Sequence, residues 1–125
     1  MPILIKRVYD PPSERDGTRL LIDRLWPRGL KRDAAALDGW LKDLTPSHDL
    51  RRWFHASRDE RWPEFRARYR AELDAHGDRL ADLAEQGRAG TLTLLTAARE
   101  PGRSHAVVLK EVLESLAPLG GVEGW

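Results

Sequence analysis

The chain has 125 residues and a formal net charge of +1, with 21 basic residues against 20 acidic ones. Its length predicts one domain over residues 1–125, and its near-neutral charge excludes a global field that would drive the whole chain onto nucleic acid or an anionic membrane. The absence of cysteine excludes disulfides, thiolate chemistry and cysteine-bound metals.

The first residues bear on where the protein is located. Residues 1–7 lack the long apolar stretch of a signal peptide, and no segment approaches the ~20 apolar residues of a membrane span. The sequence therefore predicts a cytoplasmic protein without a membrane partner.

Two strands are predicted in the first quarter of the chain. Residues 3–9 are rich in β-branched and apolar side chains, and they end before two consecutive prolines, Pro11 and Pro12. Residues 18–23 form a second apolar run, whose centre favours burial on both faces of a sheet. Pro27 and Gly29 then end regular pairing.

The next segment predicts two helices. Asp33 can cap a helix whose apolar stripe runs to Leu44 and which Pro46 ends. Ser47 can cap a shorter helix directly afterwards.

The remaining elements complete an α/β order. Asp59 can cap a longer helix with Pro63 in its first turn, and Gly77 ends or kinks that helix. Residues 91–96 have the composition of a third strand, and Ser104 can cap a last amphipathic helix. Because helices separate the strands, the predicted fold is a small, mainly parallel sheet flanked by helices.

The densest polar cluster follows the second predicted strand, at residues 23–29. In open parallel sheets, ligands bind outside the carboxyl ends of the strands. The guanidinium groups of Arg24 and Arg28 suit phosphate or carboxylate, and Pro27 restricts the backbone between them. The cluster predicts an anion site in which Asp23 orients the arginines; alternatively, Asp23 pairs with one of them and only pins the turn.

A second cluster lies before the last predicted helix, at residues 97–105. Arg99, Ser104 and His105 lie near a helix N-terminus, which offers free backbone N–H groups and the positive end of the helix dipole. Alternatively, Ser104 is only a cap and His105 a surface residue. Since loops that follow parallel strands emerge at one edge of a sheet, we expect the two clusters to converge.

These clusters give the leading function hypothesis, which is binding of a small anionic or phosphorylated ligand. The predicted ligand-binding residues are Arg24, Arg28, Arg99 and Ser104. If the protein is an enzyme, the proton-transfer group is expected to be Asp23 or His105, because imidazole titrates near neutrality and burial can tune a carboxyl group.

A different class of function rests on the excess of arginine over acidic residues in residues 51–70. A nucleic-acid or protein interaction module would use this strip. Its residues would be Arg51, Arg52, Arg58, Arg66 and Arg70, with Trp53 as a stacking surface. The remaining alternatives are a solvated helix and a structural partner without chemistry.

Metal and cofactor sites are not predicted. The four histidines have no spacing that specifies a metal ion. The sequence also has no phosphate loop, dinucleotide fingerprint or Gly-x-Ser-x-Gly motif.

The chain resembles the YeaO-like branch of the domain of unknown function 488 family over nearly its whole length. The resemblance rests on residues 8–12 (VYDPP), 19–29 (RLLIDRLWPRG), 37–42 (LDGWLK), 46–47 (PS), 50–54 (LRRWF) and 105–109 (HAVVL). It implies a small cytoplasmic α/β domain of bacterial or archaeal type and no settled activity.

Other branches of that family bear on individual residues. Their shared Asp, Arg and Pro after an early strand match Asp23, Arg24 and Pro27 here. They often place Cys-His-Arg after the late strand, whereas this branch more typically has Asn-His, and here Ser104 precedes His105. The resemblance therefore implies no cysteine-dependent mechanism for this chain.

Overall fold

The structure, a computed structural model, describes residues 3–122 and the side chains of residues 3–116. Its sheet consists of β1 (Ile3–Arg7), β2 (Thr18–Leu21), β3 (Gly39–Trp40) and β4 (Leu92–Thr96), in the order β1-β4-β2-β3. All the strand pairs are parallel, with Ile5 and Leu20 both level with Leu94. The predicted parallel α/β fold is therefore confirmed.

Helices connect and cover these strands. They are α1 (Arg32–Ala35), α2 (His48–His55), α3 (Arg58–Leu73), α4 (Gly77–Ala89) and α5 (His105–Val122). Among the residues that the structure describes, no helix combines the length and apolarity that crossing a membrane requires.

One face of the sheet packs on the helices. Leu92 and Leu94 of β4 are fully buried on this face, against Phe65 and Tyr69 of α3 and Leu109 of α5. The period of two along a strand places these leucines on one side and Leu95 on the other. The larger core therefore lies between the sheet and α2–α5.

The other face of the sheet is covered mainly by residues 24–40. Leu21 and Leu95 are fully buried there against the half-buried Trp26 and Trp40. The two indole rings meet edge to face, with centroids 5.5 Å apart at 67°. This segment forms a second, smaller core without a long helix.

The predicted helix from Asp33 to Leu44 is wrong. The helix α1 ends at Ala35, and Ala36 adopts the left-handed conformation (φ 48°, ψ 51°) before the chain enters β3. Buried Arg19 of β2 donates hydrogen bonds to the carbonyls of Ala35 (2.9 Å) and Ala36 (3.0 Å). These are carbonyls that a longer helix would use, so a tertiary contact overrides the apolar periodicity.

The predicted start of the long helix is also wrong. The N-cap of α3 is Ser57 rather than Asp59, so Pro63 lies beyond the first turn. A proline there leaves the carbonyl of Asp59 without its partner N–H. The chain reverses so closely after α2 that Ser57 N donates to the Phe54 carbonyl, and the next helix begins at once.

Two predicted caps and one predicted break are confirmed. Ser47 Oγ accepts a hydrogen bond from Leu50 N, and Ser104 Oγ accepts one from Ala106 N, both at 3.2 Å. The helix α3 ends before a short 3-10 turn, and α4 begins at Gly77.

Candidate functional site

A cavity of about 320 Å³ lies where β2 and β4 end. Asp23 follows β2, Ala97 follows β4, and His105 begins α5, and all of them line this cavity. Its position agrees with the general rule that open α/β sheets bind ligands beyond the carboxyl ends of their strands. The cavity is the candidate site.

Asp23 joins the ends of the two central strands. Its Oδ1 accepts a hydrogen bond from Thr96 Oγ1 and its Oδ2 accepts one from Ala97 N, both at 2.7 Å. Its backbone carbonyl accepts a third from Trp40 Nε1 at 2.6 Å. Within the described chain, the Asp23 carboxylate contacts these groups and His105 rather than Arg24 or Arg28, which differs from the expected orienting role.

His105 joins α5 to the same strand end. Its Nε2 donates to the carbonyl of Ile22 at 2.6 Å and lies 3.5 Å from Asp23 Oδ1. Burial lowers the pKa of His105, against the opposing effects of Asp23 and the Ile22 carbonyl, and Arg51 lowers it further. The ring is therefore neutral near pH 7 with its proton on Nε2, which leaves Nδ1 as an acceptor.

Positive charge dominates the cavity wall. Four arginines line it against the carboxylates of Asp23 and Glu100. They are Arg24, Arg51, Arg58 and Arg103. This leaves an excess of cationic groups in a concave site, which favours an anion.

The four arginines differ in what they already contact. Arg103 pairs with Asp59 at 2.9 Å, and Arg58 Nη2 donates to His55 Nδ1 at 2.9 Å. Arg24 and Arg51 form no ion pair with any residue that the structure describes. Arg58 keeps its positive charge as well, because its partner His55 carries none. Among the described residues of the wall, Arg24 and Arg51 are the arginines whose guanidinium groups have neither an ion pair nor a side-chain hydrogen bond.

The positive charges of the wall also affect the pKa of His55. Partial burial of the largely exposed ring lowers its pKa, and the charges of Arg58 and Arg51 lower the pKa further. Since His55 accepts from Arg58, its ring is neutral and adds no charge to the wall.

The cavity also has an apolar wall. Phe54 of α2 stacks on Phe65 of α3, with centroids 4.2 Å apart and ring planes 21° apart. Leu25, Trp26 and Pro27 contribute apolar surface from the segment after β2. Leu25 is 70% exposed, so its side chain is available to a ligand.

The structure brings some of the predicted site residues together and leaves others outside. Asp23, Arg24, Ser104 and His105 line the cavity. Arg28 and Arg99 are exposed and lie outside its wall. Arg28 follows the buried Pro27, and its carbonyl accepts from Tyr9 Oη at 2.8 Å, which holds this turn against the start of the chain.

The hydroxyl of Ser104 is occupied by local structure. It donates to the carbonyl of Pro101 at 2.8 Å and accepts from Ala106 N. Ser104 therefore shapes the loop and caps α5, which is the alternative that its sequence context also allowed.

Sequence reasoning missed several residues of the wall. Arg51 and Arg58 were expected only in the alternative interaction strip, and Phe54, His55 and Arg103 were not assigned to a site. The i, i+4 spacing of Arg51 and His55 places both on one face of α2 and is the signal that could have found them.

The rest of the arginine strip is largely engaged within the molecule. Arg66 and Arg70 both pair with Glu111 of α5, at 2.5 Å and 3.2 Å. The guanidinium carbons of Arg61 and Arg68 lie 4.9 Å and 4.3 Å from the ring centroid of Trp53. Most of this surface is therefore used for packing α3 against its neighbours.

Metal-binding side chains do not cluster in the part of the chain that the structure describes. No group of three or more His, Cys, Asp or Glu residues there is placed to hold a metal ion.

The parallel sheet and the cationic cavity at its carboxyl edge define a small α/β protein with a polar pocket. Residues 2–118 match the family model described as "Inactive DUF488-N3 subclade". The chain belongs to this DUF488 family, as its sequence motifs predicted.

Relatives that match the chain are named as uncharacterized proteins. The chain is 48% identical over 119 residues to the uncharacterized protein YeaO of Escherichia coli (strain K12), covering 93% of this chain and 100% of that protein. It is 40% identical over 111 residues to the uncharacterized proteins Rv3073c of Mycobacterium tuberculosis and Mb3100c of Mycobacterium bovis, covering 89% of this chain and 92% of each. Among solved structures, none matches the chain.

Proposed function

We propose that this protein binds a small anionic or phosphorylated ligand in the cavity at the carboxyl edge of its sheet. The observation that carries the proposal is the pair of free guanidinium groups, Arg24 and Arg51, on the wall of a 320 Å³ cavity. Guanidinium donors match the oxygens of a phosphate or carboxylate, and a concave site strengthens their attraction for an anion.

The first turn of α5 supports the same ligand class. Ser104 and His105 bring the N-terminus of this long helix to the cavity wall. The positive end of the helix dipole adds to the charge of the arginines there.

Asp23 is proposed as a positioning residue of this site rather than as a proton-transfer group, and His105 as a positioning residue whose Nδ1 can accept a hydrogen bond from the ligand. Both carboxylate oxygens of Asp23 accept short hydrogen bonds, and Nε2 of His105 is held by the Ile22 carbonyl. A general acid or base needs an oxygen or nitrogen that can reach the substrate. The description of the family model as inactive agrees with binding without turnover.

A nucleic-acid or protein interaction through residues 51–70 has less support. Arg66 and Arg70 share Glu111, and Arg51 and Arg58 line the cavity instead of extending an open strip. The positive charge that such a partner would contact is therefore divided between the contact of α3 with α5 and the cavity wall.

Substitution of Arg51 tests the proposal. We expect Arg51→Gln to weaken binding of inorganic phosphate about tenfold or more, since hydrogen bonds to a charged group stabilise by ~1.5–3 kcal/mol. Isothermal titration calorimetry at low ionic strength measures the change.

Arg52→Gln is the matched control for that experiment. Arg52 is the next residue of α2 and is exposed, but it lies outside the cavity wall. We expect it to leave phosphate affinity unchanged. Equal affinities for the Arg51 and Arg52 variants, or no phosphate binding by the unmodified protein, would contradict the proposed function.

A further inference from the structure

We infer that the ligand of this cavity is a phosphate monoester that carries a planar ring. The inference rests on the proposed function and narrows it to a ligand class.

The volume exceeds what an inorganic ion fills. A water molecule occupies ~30 Å³ of liquid volume, so a cavity of 320 Å³ holds about ten water-sized groups. A free phosphate ion is much smaller than that. The cavity therefore has room for an organic group beside the phosphoryl oxygens.

The wall provides a suitable surface for such a group. Leu25, which is 70% exposed, and the half-buried Trp26 supply most of this surface from the segment after β2. Phe54 and Phe65 stack on each other and are largely buried, so they contribute only a small exposed part of their rings. Flat aromatic and aliphatic surfaces favour a planar ring, because ring faces pack with large contact area and little loss of side-chain freedom.

The charges of the wall limit the ligand to one phosphoryl group. Arg103 is paired with Asp59, whereas the hydrogen bond from Arg58 to the neutral His55 leaves its charge unbalanced, so Arg24, Arg51 and Arg58 are the unpaired cations of the described wall. The carboxylates of Asp23 and Glu100 line the same space and would repel further negative charge. Three unpaired guanidinium groups against two carboxylates leave an excess of one positive charge on the wall, which suits one phosphate monoester better than a di- or triphosphate.

A panel of titrations tests this ligand class. The probes are inorganic phosphate, adenosine 5′-monophosphate, adenosine 5′-triphosphate, phenyl phosphate and adenosine. We expect at least one of the two ring-bearing monoesters to bind about tenfold or more tighter than inorganic phosphate, and the triphosphate and the uncharged nucleoside to bind more weakly than that monoester. The two monoesters distinguish a nucleotide from a simple aryl phosphate.

Leu25→Ser separates the apolar contribution from the anion contribution. Because Leu25 is mostly exposed, the variant keeps the core intact. We expect it to weaken the ring-bearing monoester severalfold while the affinity for inorganic phosphate stays the same, and Arg51→Gln to weaken both. A thermal melt confirms that each variant is folded.

The outcomes distinguish this inference from the proposed function. If inorganic phosphate and both monoesters bind equally and Leu25→Ser changes none of them, the ligand class is wrong and anion binding stands. If adenosine 5′-triphosphate binds more tightly than every monoester, the limit to one phosphoryl group is wrong. If no phosphate compound binds, the proposed function fails as well.

Discussion

Arg19 fixes the path of the chain between α1 and β3. It is 4% exposed, and it pairs with Asp16, which is 2% exposed. Its other guanidinium nitrogens donate to the carbonyls that end α1. Lys6 completes the cluster with Asp16 at 3.0 Å. The charges are thereby paired and hydrogen-bonded, which burial of ions requires.

Removing the Arg19 charge tests this role. We expect Arg19→Gln to lower the free energy of unfolding by about 3 kcal/mol or more, since the variant leaves Asp16 buried with one partner fewer. Urea denaturation measures the loss. Arg15→Gln, at an exposed position of the adjoining 3-10 turn, should stay within about 0.5 kcal/mol of the original chain. A small effect at Arg19 would show that the pair adds little to stability.

The short helix α1 shows how an element ends for conformational reasons. Ala36, its C-cap, has φ +48°, a region that a residue with a Cβ enters at a cost of about 1–2 kcal/mol. Glycine adopts this conformation without that cost. The sequence thus places a residue of high helix propensity where the fold requires the end of a helix.

Glycine scanning of α1 tests that interpretation. We expect Ala36→Gly to raise the free energy of unfolding by about 0.5–1 kcal/mol, because relief of strain outweighs the entropy of the unfolded glycine. Ala34→Gly, two residues earlier within the helix and also exposed, should lower it by up to about 1 kcal/mol. Thermal unfolding of the two variants gives the comparison, and changes of the same sign would argue against a strained Ala36.

The elements divide into those that local sequence determines and those that distant contacts determine. The strands at Leu20 and Leu94 and the caps at Ser47 and Ser104 follow from apolar runs and cap chemistry, and they were predicted. The strand β3 was not predicted. It depends on hydrogen bonds from Arg19 to the carbonyls of Ala35 and Ala36, which lie 16 and 17 residues later in the chain. The apolar periodicity of a short stretch of sequence does not indicate contacts between residues that far apart.

The same division explains what was predictable about the candidate site. Asp23, Arg24 and His105 lie at strand and helix ends, so the parallel topology alone indicated that they would meet. Arg51 reaches the cavity because of how α2 sits against the sheet edge. That placement is fixed in part by Tyr69 Oη, which donates to the carbonyl of Leu44 just before α2. The spacing of residues in the sequence does not predict how α2 packs against the rest of the fold.

At the scale of the whole molecule, the buried His105 links stability to pH. Burial holds its pKa below the ordinary value of 6.5, so the unfolded chain takes up a proton at a higher pH than the folded chain does. The contribution to stability is therefore complete above pH 6.5 and is lost as the pH falls from there through the lower pKa of the folded state.

A pH series of denaturation curves tests this linkage. We expect the free energy of unfolding to fall as the pH is lowered from neutrality to below 6.5. The slope should be smaller in His105→Gln and unchanged in His48→Gln, where the histidine is exposed at the start of α2. His55, whose pKa is also lowered, keeps part of the slope in the His105 variant. An identical slope in all three proteins would show that His105 is not the group responsible.

The segment of residues 24–40 covers one face of the sheet and also supplies Arg24, Leu25 and Trp26 to the cavity. The larger core lies on the opposite face and shares few side chains with this segment. Insertions or substitutions at residues 24–29 can therefore alter the shape of the cavity while the helical layer keeps its packing. Under the proposed function, changes in this one surface segment would alter which ligand a related chain binds while the scaffold stays the same.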